Sequence, residues 1–255
     1  MIDVILLCAG YATRLYPLTE NQPKPLLPVG DHPILEWILK RLEDVRDIGS
    51  VWIVSNHRFA SHFGEWLKNA RYPWPIGVVD DRTTTNENRL GAIGDLRFVL
   101  KEKKISGKDL LVIAGDNLFD FDLREFVRFA GAKRPHGAIA IYDVKDRELA
   151  KQYGLVRVEA DGRIAEFYEK PQDPPTTLAS CGLYWLPAES LLLLDRYIAD
   201  GHNADQPGHY MRWLAQTDGL FAIPLEGRWY DIGDHASYEK ANAIFRDAGK
   251  KLERK

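Results

Sequence analysis

Cysteine is scarce in this sequence: there are two, Cys8 and Cys181, far apart along 255 residues. That excludes a disulfide framework and points to a reducing compartment, with both thiols read as small packed apolar side chains. Charge of one sign is not in excess either. The 34 basic and 37 acidic side chains leave a formal net charge of -3. Such a balance gives no support to bulk binding of nucleic acid or membrane, although it leaves room for a small basic pocket. Long apolar runs are missing. The opening run, Val4 to Ala9, is far short of the roughly 20 residues of a membrane span, and no basic segment precedes it as in a signal peptide. The expected location is therefore cytoplasmic. Two common phosphate loops are absent as well. Gly107-Lys108 is followed by Asp109 and Gly249-Lys250 by Lys251, where a Walker loop requires Ser or Thr. The first turn holds only Gly10, where a dinucleotide fingerprint requires three glycines.

What is present is an ordinary apolar content of 45% in a chain long enough to bury a full core without staples. Short apolar runs alternate with amphipathic ones. Strands are expected over 4–9, 51–54, 76–79, 110–114 and 138–144, and helices over 33–48, 59–70, 90–102 and 123–132. Repeated strand–helix–strand units imply an α/β fold with a mainly parallel, doubly wound, Rossmann-like sheet. The second half changes character. Segments 153–158 and 164–169 alternate apolar and polar residues around Asp161-Gly162, a strong hairpin signal. A strand over 179–186, helices over 189–199 and 210–216, a short strand over 221–225, a helix over 235–248 and a charged tail over 250–255 complete the reading. No repeat or low-complexity linker interrupts it, so one α/β domain with an antiparallel extension is expected.

The stretch from Gly10 through Tyr11, Ala12, Thr13, Arg14 and Leu15, continuing to Pro23-Lys24-Pro25-Leu26-Leu27-Pro28-Val29, follows the first buried strand. Ligands of doubly wound sheets bind beyond the carboxyl ends of the strands. A small-residue turn there brings backbone N–H groups to phosphate oxygens. Arg14 and Lys24 add two cations, the donors a departing pyrophosphate requires.

In residue order this stretch resembles the signature of the sugar-phosphate nucleotidyltransferases, which include glucose-1-phosphate thymidylyltransferase. The pattern is Gly-x-Gly-Thr-Arg-Leu-x-Pro-Leu-Thr, then Pro-Lys-x-Leu-Leu-Pro-Val; Ala12 stands where the second glycine is usual. Four further segments agree in order: Leu90-Gly91-Ala92-Ile93-Gly94, Gly115-Asp116-Asn117, Glu169-Lys170-Pro171 and Trp229-Tyr230-Asp231-Ile232-Gly233. Gly154 matches a glycine of the sugar pocket. The resemblance spans roughly residues 1 to 245, and its strength is joint, because each motif alone is weak.

What the resemblance implies is a nucleotide-diphospho-sugar-transferase-like fold, with a nucleotide-binding part over about 1–145 and a sugar-phosphate-binding part over about 146–245. No acetyltransferase domain is expected after it. Arg14, Lys24 and Asp116 would be catalytic. Leu7, Ala9, Gly10, Tyr11, Ala12, Thr13, Arg14, Lys24, Leu90, Gly91 and Asp116 would bind the nucleotide. Asn117, Gly154, Glu169, Lys170 and Trp229 would bind the sugar phosphate, and Asp116 and Asp231 would hold Mg²⁺, a cation that prefers hard oxygen ligands. The implied reaction joins a nucleoside triphosphate, dTTP or UTP, to a sugar 1-phosphate, glucose 1-phosphate first, and releases pyrophosphate. A cytidylyltransferase acting on phosphocholine shares the opening motif and would use aromatic side chains around the quaternary ammonium. Glu169-Lys170-Pro171 and Gly154 favour a sugar. The expected assembly is a monomer or small homo-oligomer.

Overall fold

The computed structural model describes residues 1–252, with the backbone path alone from 247 onward. The first half runs β1 (Ile2–Leu7), the two-residue strands β2 (Pro28–Val29) and β3 (His32–Pro33), α1 (Ile34–Leu42), β4 (Ile48–Ser55), α2 (His57–Asn69), β5 (Ile76–Asp80), α3 (Ala92–Glu102), β6 (Asp109–Ala114), β7 (Asn117–Phe119) and α4 (Leu123–Ala132). The second half runs β8 (Gly137–Asp143), α5 (Arg147–Ala150), β9 (Gly154–Val158), β10 (Ile164–Glu169), β11 (Leu178–Leu186), α6 (Leu191–Ala199), α7 (Pro207–Thr217), β12 (Leu220–Pro224), β13 (Trp229–Asp231) and α8 (His235–Leu252).

Nine strands from both halves join one sheet, in the order β10-β9-β11-β6-β1-β4-β5, with β8 branching from β11 and β12 paired to β8. β1 pairs in parallel with β4 and β6, and β4 with β5. β11 joins β6 antiparallel, and the β9–β10 hairpin is antiparallel. The mainly parallel sheet with an antiparallel extension is therefore as expected.

β1 carries apolar side chains at every position from Val4 to Leu7 because both faces are covered. Val4 and Leu6 pack into one core layer with α1, α2, α4 and α8, while Ile5 packs into the other with α3, α6 and α7. The chain runs β1, β4, β5 toward one edge and then returns to place β6 on the other side of β1. That reversal opens a crevice at the carboxyl ends of β1 and β6, the place where doubly wound sheets hold ligands. Leu7 and Ala114 lie side by side at its floor, and Gly115 N–H donates to Leu7 O at 3.0 Å.

The elements differ from the sequence reading mainly at their ends. The helix expected over 33–48 stops at Leu42, and its run to 48 is barred by Asp47 at φ +63° and by the pairing of Ile48 with Ile2. The helix expected from Leu90 starts at Ala92, because Gly91 takes φ +79°. β2, β3, β7, β13 and α5 are too short to show a periodicity. α8 extends past 248 to Leu252, and the last three residues of the expected charged tail lie outside the described residues. None of the described helices is long and apolar enough to cross a membrane.

Ile5 is fully buried on the central strand, under the helix that borders the crevice. Ile5→Ala is expected to cost about 2–5 kcal/mol. Urea unfolding should show a lower midpoint at an unchanged slope; an unchanged midpoint would contradict this packing.

Candidate active site

The crevice holds a cleft of about 590 Å³. Its floor is the turn after β1. A Cβ at Gly10 would meet nothing within 4 Å, so the turn faces open space. Ala12 takes φ 48°, ψ 40°, the left-handed conformation that favours glycine. That explains why a glycine is usual here in the pattern this loop resembles. Two hydrogen bonds to its carbonyl hold Ala12 in place: Thr19 Oγ1 donates at 2.8 Å and Leu15 N at 3.0 Å. The tight helical turn Thr13–Leu15 then carries Arg14 into the cleft.

The acidic side of the cleft comes from β6, β7 and β13. Lys24 Nζ donates to Asp116 Oδ2 at 2.6 Å and to Ile232 O at 2.8 Å. Asn117 Nδ2 donates to Asp116 Oδ1 at 2.8 Å, and Trp229 Nε1 donates to Asn117 Oδ1 at 2.6 Å. β13 pairs with β7 so that Asp231 faces Asn117, and Ile232 N donates to Asp116 O at 3.1 Å. Two aspartates more than a hundred residues apart in sequence are thus locked beside each other. Burial, and then the Asp116 carboxylate, push the Asp231 carboxyl above the usual carboxylate range, against the pull of Lys24, Arg14 and Lys170. A Cβ at Gly233 would lie 3.6 Å from Arg14 Nη2 and 3.7 Å from Asp231 Oδ2, so the guanidinium and this carboxylate flank one small space. Burial pushes the Cys8 thiol far up, which makes it a packing group rather than a nucleophile.

A further stretch of the wall holds Gly154, Lys170 and Trp229, with Gln152, Tyr153, Ser180, Gly182 and Tyr184. Trp229 meets the Tyr153 ring edge-on at 4.8 Å. Of the seven tryptophans it alone borders the cleft. Glu169 does not line this space. Its carboxylate lies behind the wall, where a Cβ at Gly208 would come within 1.7 Å of Oε2 and one at Gly154 within 3.0 Å. Burial raises its carboxyl above the usual range. Toward the third end lie Tyr11, Asn86, Arg89, Gly91, Ala92, Asp95 and Asp205. Leu90 is turned partly to solvent and does not line the cleft. Arg89 and Asp205 form a two-bond ion pair, Nε–Oδ1 2.8 Å and Nη2–Oδ2 2.9 Å. Gly91 is confined beneath it: a Cβ there would lie 2.4 Å from Asp205 Cα.

Leu7, Ala9, Gly10, Tyr11, Ala12, Thr13, Arg14, Lys24, Gly91, Asp116, Asn117, Gly154, Lys170, Trp229 and Asp231 therefore share one cleft. The sequence reading missed Gln152, Ser180, Tyr184, Asp205 and Asp95. The first four sit in segments without a motif. Asp95 carried a usable signal, an acid set between Ile93, Leu96 and Val99 on the buried stripe of α3.

Comparison with known proteins bears on this arrangement. The chain is 28% identical over 246 residues to the bifunctional protein GlmU of Methanocaldococcus jannaschii, covering 96% of this chain and 55% of that one. It is 29% identical over 257 residues to the UTP–glucose-1-phosphate uridylyltransferase of Synechocystis sp., covering 94% and 62%. The chain thus spans somewhat over half the length of these relatives. Among solved structures, a UDP-glucose pyrophosphorylase complexed with UDP-glucose superposes with a TM-score of 0.80 at 23% identity, covering 97% of this chain and all of that one (100%). A Bacillus anthracis structure described as a glucose-1-phosphate thymidylyltransferase does so with a TM-score of 0.79 at 24% identity, covering 97% and 96%. Residues 3–248 match the sequence pattern of the nucleotidyl transferases, and the chain belongs to that family.

Proposed function

We propose that this chain is a single nucleotidyltransferase unit that joins a nucleoside triphosphate to a sugar 1-phosphate and releases pyrophosphate. The observation that carries the reading is the meeting of Arg14, Lys24, Asp116 and Asp231 in one cleft with Lys170. UTP or dTTP with glucose 1-phosphate is the first substrate pair, supported for UTP and glucose by the Synechocystis relative. A Sulfolobus acidocaldarius relative, 27% identical over 243 residues, is described as a mannose-1-phosphate guanyltransferase, so base and sugar both need testing. A phosphocholine acceptor would call for more aromatic enclosure than Trp229 and its tyrosine neighbours provide. The buried free thiols Cys8 and Cys181 fit a cytoplasmic setting.

In this reading a phosphate oxygen of the sugar 1-phosphate attacks the α-phosphorus of the triphosphate, and the bond from that phosphorus to the pyrophosphate oxygen breaks. No proton need move and no protein nucleophile is involved, so the chain's part is alignment and charge neutralisation. Arg14 neutralises the departing pyrophosphate, Lys24 the α-phosphate, and Lys170 orients the attacking phosphate. Mg²⁺ fits the residues present: Asp116 and Asp231 are adjoining carboxylates, and burial and the Asp116 charge make Asp231 costly to ionise, which a divalent cation would relieve. Among the described residues no group of three or more His, Cys, Asp or Glu assembles, which accords with an ion that keeps water and substrate phosphates as its other ligands. When bound, the ion would offset phosphate charge on both substrates.

A pyrophosphate-release assay across five nucleoside triphosphates and several sugar 1-phosphates tests the reading; silence in every pair, with magnesium present, would sink it. Asp116→Asn and Asp231→Asn should each lower kcat about 10²-fold or more, on the order of 3 kcal/mol, with little change in melting temperature. The double variant should lose less than the sum of the two. Turnover of Asp231→Asn at the original rate, with the same magnesium dependence, would remove it from the site. Lys170→Ala should raise KM for the sugar phosphate more than for the nucleotide, and steady-state kinetics showing the reverse would overturn its assignment.

A further inference from the structure

Arg14 and Lys24 stand on a segment that the nine-stranded sheet does not hold, since no strand of that sheet lies between Leu7 and Ile48. Arg14 is exposed, so the backbone of its turn rather than side-chain packing decides where it stands. Two hydrogen bonds to Ala12 O anchor the start of the turn, and fully buried Leu15 pins it to the core. Its far end, Tyr16, is exposed, and the anchor there comes from the other end of the chain. His235 Nε2 lies 2.8 Å from Tyr16 O. A carbonyl oxygen only accepts, so Nε2 is the donor.

His235 is the first residue of α8, and that helix is a fixed base for such a bond. Asp234 and Ser237 close its start reciprocally: Asp234 Oδ1 accepts from Ser237 N at 2.8 Å, and Asp234 N donates to Ser237 Oγ at 3.0 Å. Tyr238 Oη donates to Pro28 O at 2.6 Å, and Asn242 Oδ1 accepts from Gly30 N at 3.0 Å. Residues 235, 238 and 242 have the spacing of one helix face. That face therefore grips the backbone before Lys24, at Tyr16, and after it, at Pro28 and Gly30. Buried Phe245 meets the Trp37 ring edge-on at 5.0 Å, which seats the helix on α1. Only Ile232, Gly233 and Asp234 separate His235 from Asp231, so the loop that supplies the second carboxylate also ties down the arginine turn. His235 itself does not line the cleft.

We propose that His235 is a positioning residue: its bond to Tyr16 O holds the Thr13–Leu15 turn where Arg14, beside Asp231, meets the departing phosphates. This rests on the nucleotidyltransferase reading for what Arg14 meets. A guanidinium on a turn that is free to shift spends less time in the productive place. Affinity for the phosphates and the rate of their departure both fall.

The test is calorimetric binding of inorganic tripolyphosphate with magnesium present, which needs neither base nor sugar. His235→Ala should weaken it about fivefold, the size of one net hydrogen bond, with little change in melting temperature. His235→Gln, whose amide nitrogen can take the place of Nε2, should restore affinity to within about twofold. In an Arg14→Ala background, His235→Ala should add no more than about a further twofold, because the bond acts through that arginine. In turnover, His235→Ala should lower kcat about tenfold and leave KM for the sugar phosphate unchanged, because Lys170 holds that substrate. Unchanged tripolyphosphate binding, a loss that Gln fails to rescue, a full loss persisting without Arg14, or a raised KM for the sugar phosphate would each overturn the proposal. If binding follows this pattern but no sugar phosphate releases pyrophosphate, the reaction proposed above fails and the positioning role stands. If the original protein binds neither tripolyphosphate nor any nucleoside triphosphate, both fall.

Discussion

Parallel pairing of β1 with both β4 and β6 is the constraint from which the rest follows. It places Leu7 beside Ala114, so the turn after β1 and the turn after β6 leave the sheet at the same point. One turn brings backbone amides, Arg14 and, further on, Lys24; the other brings Asp116 and Asn117. Because both faces of β1 are buried, a slip of register would carry Ile5 into the wrong layer and separate the two turns.

Charge in the cleft is arranged as a chain of dependence. Trp229 fixes Asn117, Asn117 fixes Asp116, and Asp116 fixes Lys24, each through a hydrogen bond of 2.6 to 2.8 Å. The short β7–β13 ribbon adds Asp231 to the same spot. Such a network is stiff because every buried polar group in it has a partner, and preorganised groups are what phosphoryl chemistry without a protein nucleophile requires. The cost is concentrated electrostatic stress. Burial and then the Asp116 charge raise the Asp231 carboxyl, and burial and then the Asp81 charge raise that of Asp95 at the other end of the cleft. At the first of these a divalent cation would relieve the stress.

Local sequence rules carried most of the fold. The apolar runs of β1, β4 and β6 announce strands covered on both sides, the period of α4 gives its limits, Leu123 and Ala132, and Asp161-Gly162 gives the β9–β10 hairpin. Where the reading and the structure part, the end of an element is set from outside, as at Gly91, where the backbone of Asp205 leaves no room for a side chain. Strands of two or three residues, such as β7 and β13, exist only because their partner is present.

The sequence by itself determined the α/β class, the phosphate-loop turn with Arg14 and Lys24, and the ordered motifs that resemble the nucleotidyltransferases, because these depend on residue type and spacing within short windows. Tertiary structure decided what distance along the chain conceals. It joined Asp231 to Asp116 through a three-residue ribbon, turned Glu169 behind the wall and Leu90 toward solvent, and tied Arg89 to Asp205. It also set Asp95 against Asp81. A pKa or an ion pair is a property of which groups end up a few ångströms apart, and that is fixed by how sheet and helices pack rather than by any local pattern.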